Sequence, residues 1–250
     1  MARGPGGDYN RLEGNSLPNT DLGQLESRLT GGRGGMHRSG IVMFATNFAN
    51  SLAEIQTGSL GGTGAAFALD TTLAEFGLQS AKLTHGTVIT NQSSIVHDSP
   101  ALPSGKCGWE IGLRFSNLVW RLWLTLSGSS IDGLQNTYEI KITRSASTPK
   151  VVITYLNESN VHTAWISDDV VIGSKWNHLK LIVDGSTPAA PAYEALYING
   201  YKLSMAGKLA YAPTVAAGYP TMTQTLMLEA MVASNQYVNI GSWIFTVDEP

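Results

Sequence analysis

The chain has 250 residues, of which 43% are hydrophobic, only 14% are charged and one is a cysteine, Cys107. A formal charge of -3 gives no electrostatic footprint for nucleic acid. A single thiol excludes an internal disulfide or a cysteine metal cluster, and no window of about 18 apolar residues is present to span a membrane.

Residues 1–40 stand apart from the rest. They hold ten of the 27 glycines and five Arg without a Lys. In NTDLGQLESRLTGG, Asn19 or Thr20 is placed to cap a short helix, Leu22, Leu25 and Leu29 share one face, and Gly31 ends it. A helix of that length does not persist alone in water, so its leucines need a surface to cover. Together with Arg33 in the following GGRGGMHRSG they are the candidate contacts of an arm that docks on other proteins or on copies of its own chain. The opening MARGPGGDYNRLEG has no apolar h-region, so a secretory signal is not expected.

From Ile41 onward the period is two. FALDTTLAEFGL fits a short helix or a strand, while KLTHGTVIT and SSIVH read as strands. CGWEIGLRF puts Trp109, Ile111, Leu113 and Phe115 on one face and Glu110, Gly112 and Arg114 on the other. In VWRLWLTL, Trp120, Leu122, Leu124 and Leu126 are in line, with Val119, Arg121, Trp123 and Thr125 pointing away from them. TYEIKITR alternates Tyr138, Ile140 and Ile142 with Glu139, Lys141 and Thr143. SASTP turns the chain into KVVITYLN, and VHTAWI with DVVIG forms an expected hairpin about Ser167-Asp168-Asp169. WNHLKLIVDG sets Leu179, Leu181 and Val183 toward a core, with His178, Lys180 and Ile182 opposite. In ALYINGYKLS, Asn199-Gly200 is the preferred pair of a type I′ turn, which places Ile198 opposite Tyr201 and Leu196 opposite Leu203. LMLEAMVA, QYVNIG and SWIFTV complete a series of short strands bounded by turn residues, the signature of a sandwich or barrel.

The run Trp176-Asn177-His178 with its alternating aliphatics, Asp184-Gly185 and then Leu196-Tyr197-Ile198-Asn199-Gly200 resembles the concanavalin A-like lectin/glucanase (laminin G-like) superfamily. The resemblance implies an all-β, two-sheet antiparallel jelly-roll sandwich, placed at 41–250; the extended arm of 1–40 with its short helix precedes it and matches no part of the family pattern. It also implies that YVNIGSWIFTV closes the sandwich beside the first strand. Glucanase members of that superfamily carry E-x-D-x-E on one strand, and no such triplet occurs here. The adjacent acids Asp168-Asp169 and Asp248-Glu249 would point to opposite faces of a strand.

No G-x-S-x-G elbow is present, and GGTGAAF lacks the Lys of a phosphate loop. Asp132, Asp168, Asp169 and Asp184 fall in expected turns, where Asx residues serve the backbone, so no metal site and no cofactor is assigned. Trp123, Trp165, Tyr193 and Tyr219 are the candidate sugar-stacking aromatics. The expectation from sequence is a non-enzymatic structural or interaction protein. Its first form is a phage virion component (capsid decoration, tail or fibre) that meets other virion proteins through the arm. The alternative is a carbohydrate-binding, lectin-like module or adhesin that meets host glycans.

Overall fold

The computed structural model describes residues 41–48, 51–75, 78–100, 105–116, 119–129, 135–145, 151–166, 170, 172–187, 189–213, 221–234 and 236–249. The arm with Leu22, Leu25, Leu29 and Arg33 lies outside these residues, as do Asp132, Asp168, Asp169 and Tyr219. In chain order the strands are β1 (Ile41–Thr46), β2 (Gln56–Ser59), β3 (Ala66–Asp70), β4 (Ser80–Thr84) and β5 (Gln92–Pro100). Next come β6 (Lys106–Phe115), β7 (Trp120–Ser129), β8 (Gln135–Arg144), β9 (Val151–Leu156) and β10 (His162–Ile166). The last five are β11 (Asn177–Asp184), β12 (Ala192–Ile198), β13 (Tyr201–Leu209), β14 (Thr221–Glu229) and β15 (Tyr237–Val247). No helix occurs among the described residues, and none there is long and apolar enough to cross a membrane.

The strands form two antiparallel sheets. Sheet A runs β13-β12-β11-β6-β15-β4-β3, with β1 also on β15, and sheet B runs β10-β9-β8-β7-β14-β5-β2. The last strand does close the sandwich beside the first, since Ile41 pairs with Val247 and Thr46 with Trp243. β15 is long enough to hold β4 at its start and β1 at its end along one side, with β6 along the other. A register shift between Ile240 and Ser242 leaves Gly241 in a bulge, which reverses the side-chain parity of the strand. Val238 and Ile240 before it, and Trp243, Phe245 and Val247 after it, therefore all reach the core. That is why QYVNIG and SWIFTV read as separate strands in sequence.

The core lies between the sheets and follows the alternation. Trp109, Ile111, Leu113 and Phe115 of β6 meet Trp120, Leu122, Leu124 and Leu126 of β7, all buried. Each such aliphatic side chain contributes about 1.5–3 kcal/mol when fully buried. The aromatics pair within this layer, Phe115 stacking on Trp120 with centroids 3.9 Å apart and Trp109 tilting against Trp243 at 4.8 Å. Buried beside them, Gln224 accepts from Trp243 Nε1 at 2.9 Å and donates to Ser99 Oγ at 3.0 Å, so the buried amide and indole satisfy each other.

The Asn-Gly turn is as expected. Asn199 and Gly200 have φ of 52° and 84°, and Ile198 faces Tyr201 and Leu196 faces Leu203. In FALDTTLAEFGL, 67–70 belong to β3 and the described residues 71–75 and 78 to no strand. Two expectations need correction. Among the described residues VHTAWI does not pair with DVVIG; as β10 it folds back on β9. The turn between them is built by Asn157, whose Oδ1 accepts from the N–H groups of Ser159 and Val161 and whose Nδ2 donates to Thr163. Val170 and Ile172 belong to no strand and plug into the core. The second correction concerns β11, which buries both faces, Lys180 being 2% and Ile182 6% exposed.

Cys107 points into the core near the start of β6. Burial, with Asp184, Asp248 and Glu249 nearby, pushes its thiol up to about 12. The native protein should therefore not react with a maleimide or an aromatic disulfide at pH 8, and should react stoichiometrically once unfolded in guanidinium. Rapid labelling of the folded chain would contradict this packing.

Candidate functional site: the outer face of sheet B

The leucines of β7 point inward, so Arg121, Trp123 and Thr125 stand on the outer face of sheet B. The neighbouring strands are in register with them. Trp123 lies opposite Lys141 of β8 and Met227 of β14, Thr125 opposite Glu139, and Arg121 opposite Glu229. Cross-strand neighbours on one face are within side-chain reach, and the polar contacts follow that map. Thr125 Oγ1 donates to Glu139 Oε2 at 2.8 Å. Arg121 pairs with Glu229 Oε1, and Trp123 Nε1 donates to the other oxygen of that carboxylate at 3.1 Å. From β10, His162 Nε2 meets Glu139 Oε1 at 2.8 Å and turns its ring edge-on to Trp123, with centroids 5.1 Å apart. Lys141 sets its ammonium 4.6 Å from the centre of the Trp123 ring, a cation–π contact.

The result is an aromatic ring with a fixed carboxylate toward either end. The backbones of Glu139 and Glu229 are separated by about 13 Å along β7 and about 10 Å across it, and both side chains are engaged toward the strand between them. The face is partly open, the side chains of Arg121 and His162 each being 28% exposed. It offers a flat apolar surface, two anionic acceptors and several donors, an arrangement suited to a polyhydroxylated ligand.

The outer face of sheet A carries a second set of charges, and these are closed in. Gly108, Glu110 and Gly112 alternate outward on β6. Glu75 reaches from the loop after β3 to His178 Nε2 at 2.8 Å and accepts from Ser242 Oγ at 3.3 Å. Glu249, beyond β15, pairs with Lys180 Nζ at 2.7 Å and accepts from Thr246 Oγ1. The glycines make room for these carboxylates. A Cβ at Gly241 would lie 2.3 Å from Glu75 Oε2, and one at Gly108 would lie 2.5 Å from Glu249 Oε1. With the side chains of Glu75, Glu249 and Lys180 at most 4% exposed, these charges are closed to a ligand, whereas those on sheet B are partly open.

The four sugar-stacking candidates separate. Trp123 is on the open face. Trp165 packs against the core at the edge of sheet B, its ring 5.9 Å from Lys208 Nζ. Tyr193 is no platform. It is 1% exposed, and its hydroxyl donates to Leu156 O at 2.8 Å while accepting from Glu139 N–H at 2.9 Å. Tyr219 lies outside the described residues. Asp184 is an Asx turn whose Oδ1 takes both the N–H and the hydroxyl of Ser186. Glu139, Glu229, His162, Lys141 and Arg121 were not singled out as site residues. Their outward positions are readable from alternation, but their meeting at Trp123 requires the strand order.

No family model matches the chain, and no curated protein sequence does. Solved structures share its fold. The T. cruzi calreticulin globular domain superposes with a TM-score of 0.52 at 10% identity, covering 83% of this chain and 88% of that one. The cellulose induced protein Cip1 gives 0.52 at 16%, over 81% and 96%. A sialidase gives 0.50 at 9%, over 82% of this chain and 18% of the sialidase, so the present chain spans about a fifth of that protein. The fold is a concanavalin A-like jelly roll. The expectation that the chain is not an enzyme is corrected here. A sialidase stands among the structures of like fold, and the lack of E-x-D-x-E along one strand does not exclude enzymatic activity.

The glycine at the β15 bulge yields a direct test of the packing on sheet A. Gly241→Ala should destabilise the protein by about 1–3 kcal/mol in urea unfolding, because the added methyl meets Glu75. The penalty should shrink in a Glu75→Gly background, and equal penalties in the two backgrounds would mean that Glu75 does not occupy that cradle.

Proposed function

We propose that this jelly roll binds carbohydrate on the outer face of sheet B, with Trp123 as the stacking surface and Glu139, Glu229 and His162 as polar grips. The observation that carries the reading is the indole held on an open sheet face between two carboxylates already fixed by Thr125, His162 and Arg121. The C–H face of a pyranose stacks on such a ring while its hydroxyls donate to fixed acceptors, and the held geometry lowers the ordering cost of binding. The names of two proteins of like fold, a sialidase and a cellulose induced protein, point toward carbohydrate, an analogy at the level of fold. Nothing in the described residues or in those likenesses speaks for virion assembly, so the carbohydrate reading takes first place.

A glycan array followed by titration of the best ligand tests this. Trp123→Ala should keep the melting transition, since the ring lies outside the core, and should weaken binding about tenfold, the equivalent of about 1.4 kcal/mol. Release of reducing ends in the same samples reports cleavage of the bound glycan. Binding that is indifferent to Trp123→Ala, or an array with no ligand, would remove the proposal.

A further inference from the structure

We infer that the glycan taken by the Trp123 face is anionic, bearing carboxylate or sulfate groups. The inference rests on the carbohydrate reading and adds to it the charge of the ligand. Its ground is the balance of donors and acceptors on the face. Each carboxylate oxygen already has one protein partner, Glu139 engaging Thr125 and His162 and Glu229 engaging Arg121 and Trp123, which leaves one lone pair apiece for a sugar hydroxyl. The donors are not used up. Among the described residues Lys141 meets the Trp123 ring and no carboxylate. Its cross-strand neighbour Thr154 leaves its hydroxyl without a protein partner, as do Arg121 at Nε and His162 at Nδ1. Lys and Arg nitrogens can only donate, and the hydroxyl and, when protonated, the imidazole donate as well.

The three unpartnered atoms are themselves buried, whereas the Lys141 side chain is partly exposed, so Lys141 is the surplus donor that an acceptor-rich ligand would meet. The position of Lys141 makes the demand specific. Its ammonium sits over the same ring that would carry the sugar face, so an acidic substituent on the stacked residue falls within its reach. Lys141, Thr154 and Trp123 share one transverse row of β8, β9 and β7, and the surplus donor therefore lies beside the stacking surface.

Two matched pairs of probes test this by calorimetric titration at low salt. One is an oligogalacturonate with its fully methyl-esterified form, the other dextran sulfate with dextran. With the wild type at least one acidic probe should bind about tenfold tighter than its neutral partner, the increment of a charge-assisted contact. That ratio should fall to about one in Lys141→Gln, persist in Lys141→Arg, and shrink as salt rises. Which pair shows it distinguishes carboxylate from sulfate. Equal binding within both pairs, or a ratio that survives Lys141→Gln, overturns the inference. If the neutral probes bind equally well and Trp123→Ala abolishes them, the carbohydrate reading stands and only the anionic preference is lost. If no probe binds the wild type, the anionic inference falls, and the glycan array decides the carbohydrate reading separately.

Discussion

The inward row of β7, Trp120, Leu122, Leu124 and Leu126, sets the register of sheet B and, through it, everything on the outer face. These side chains are essentially fully buried, and a slip of one residue would turn all four to solvent and Trp123 into the core. At about 1.5–3 kcal/mol for each aliphatic side chain, no polar contact on the outer face competes with that constraint. β8 and β14 are locked to β7 by their own inward residues, Ile140 and Ile142 on one side and Leu226 and Leu228 on the other. The meeting of Glu139, Glu229 and Lys141 at Trp123 is therefore a consequence of how the core packs. The site inherits the rigidity of the sandwich, which is what a stacking surface needs.

Tyr193 ties this face to the opposite sheet. It belongs to β12 of sheet A, yet its hydroxyl crosses the core to the backbone of β8 and β9, accepting from Glu139 N–H and donating to Leu156 O. Its ring meets Tyr138 and Tyr155 edge-on at 5.6 and 5.5 Å, so the reach is supported along its length. The peptide that carries the Glu139 carboxylate is thus held from behind by the core while Thr125 and His162 hold its side chain in front.

Much of the architecture was legible in the sequence because alternation is a local property. The faces of β6, β7, β8 and β11 follow from it directly, and Asn199-Gly200 sets the β12–β13 register through backbone conformation alone. Bulges are where it failed. A register shift between Tyr193 and Ala195 breaks the period in β12, so that Tyr193, three residues from Leu196, shares the inward face with it. Read with a strict period of two, Tyr193 goes outward and looks like a sugar platform. Gly241 hid the continuity of β15 in the same way. The remaining gaps are matters of distance along the chain. Gly108 and Gly112 read as weak points in a strand, because the carboxylates that fill the space beside them come from a loop after β3 and from beyond β15. Glu139 and Glu229 are each an unremarked outward acid until β8 and β14 are known to flank β7.

The two outer faces differ in how their charges are held. On sheet A the pairs Lys180–Glu249 and His178–Glu75 sit in space cleared by glycines, their carboxylate side chains at most 4% exposed. Removing one partner of such a pair leaves an uncompensated buried charge and costs about 3–5 kcal/mol, so selection for folding alone accounts for these residues. On sheet B the cationic partners are partly wet, Arg121 and His162 each being 28% exposed, and solvent screening reduces what their pairs give to folding. Folding gains little from Arg121, Lys141 or His162 there. Their concentration around one indole supports the binding role proposed for this face.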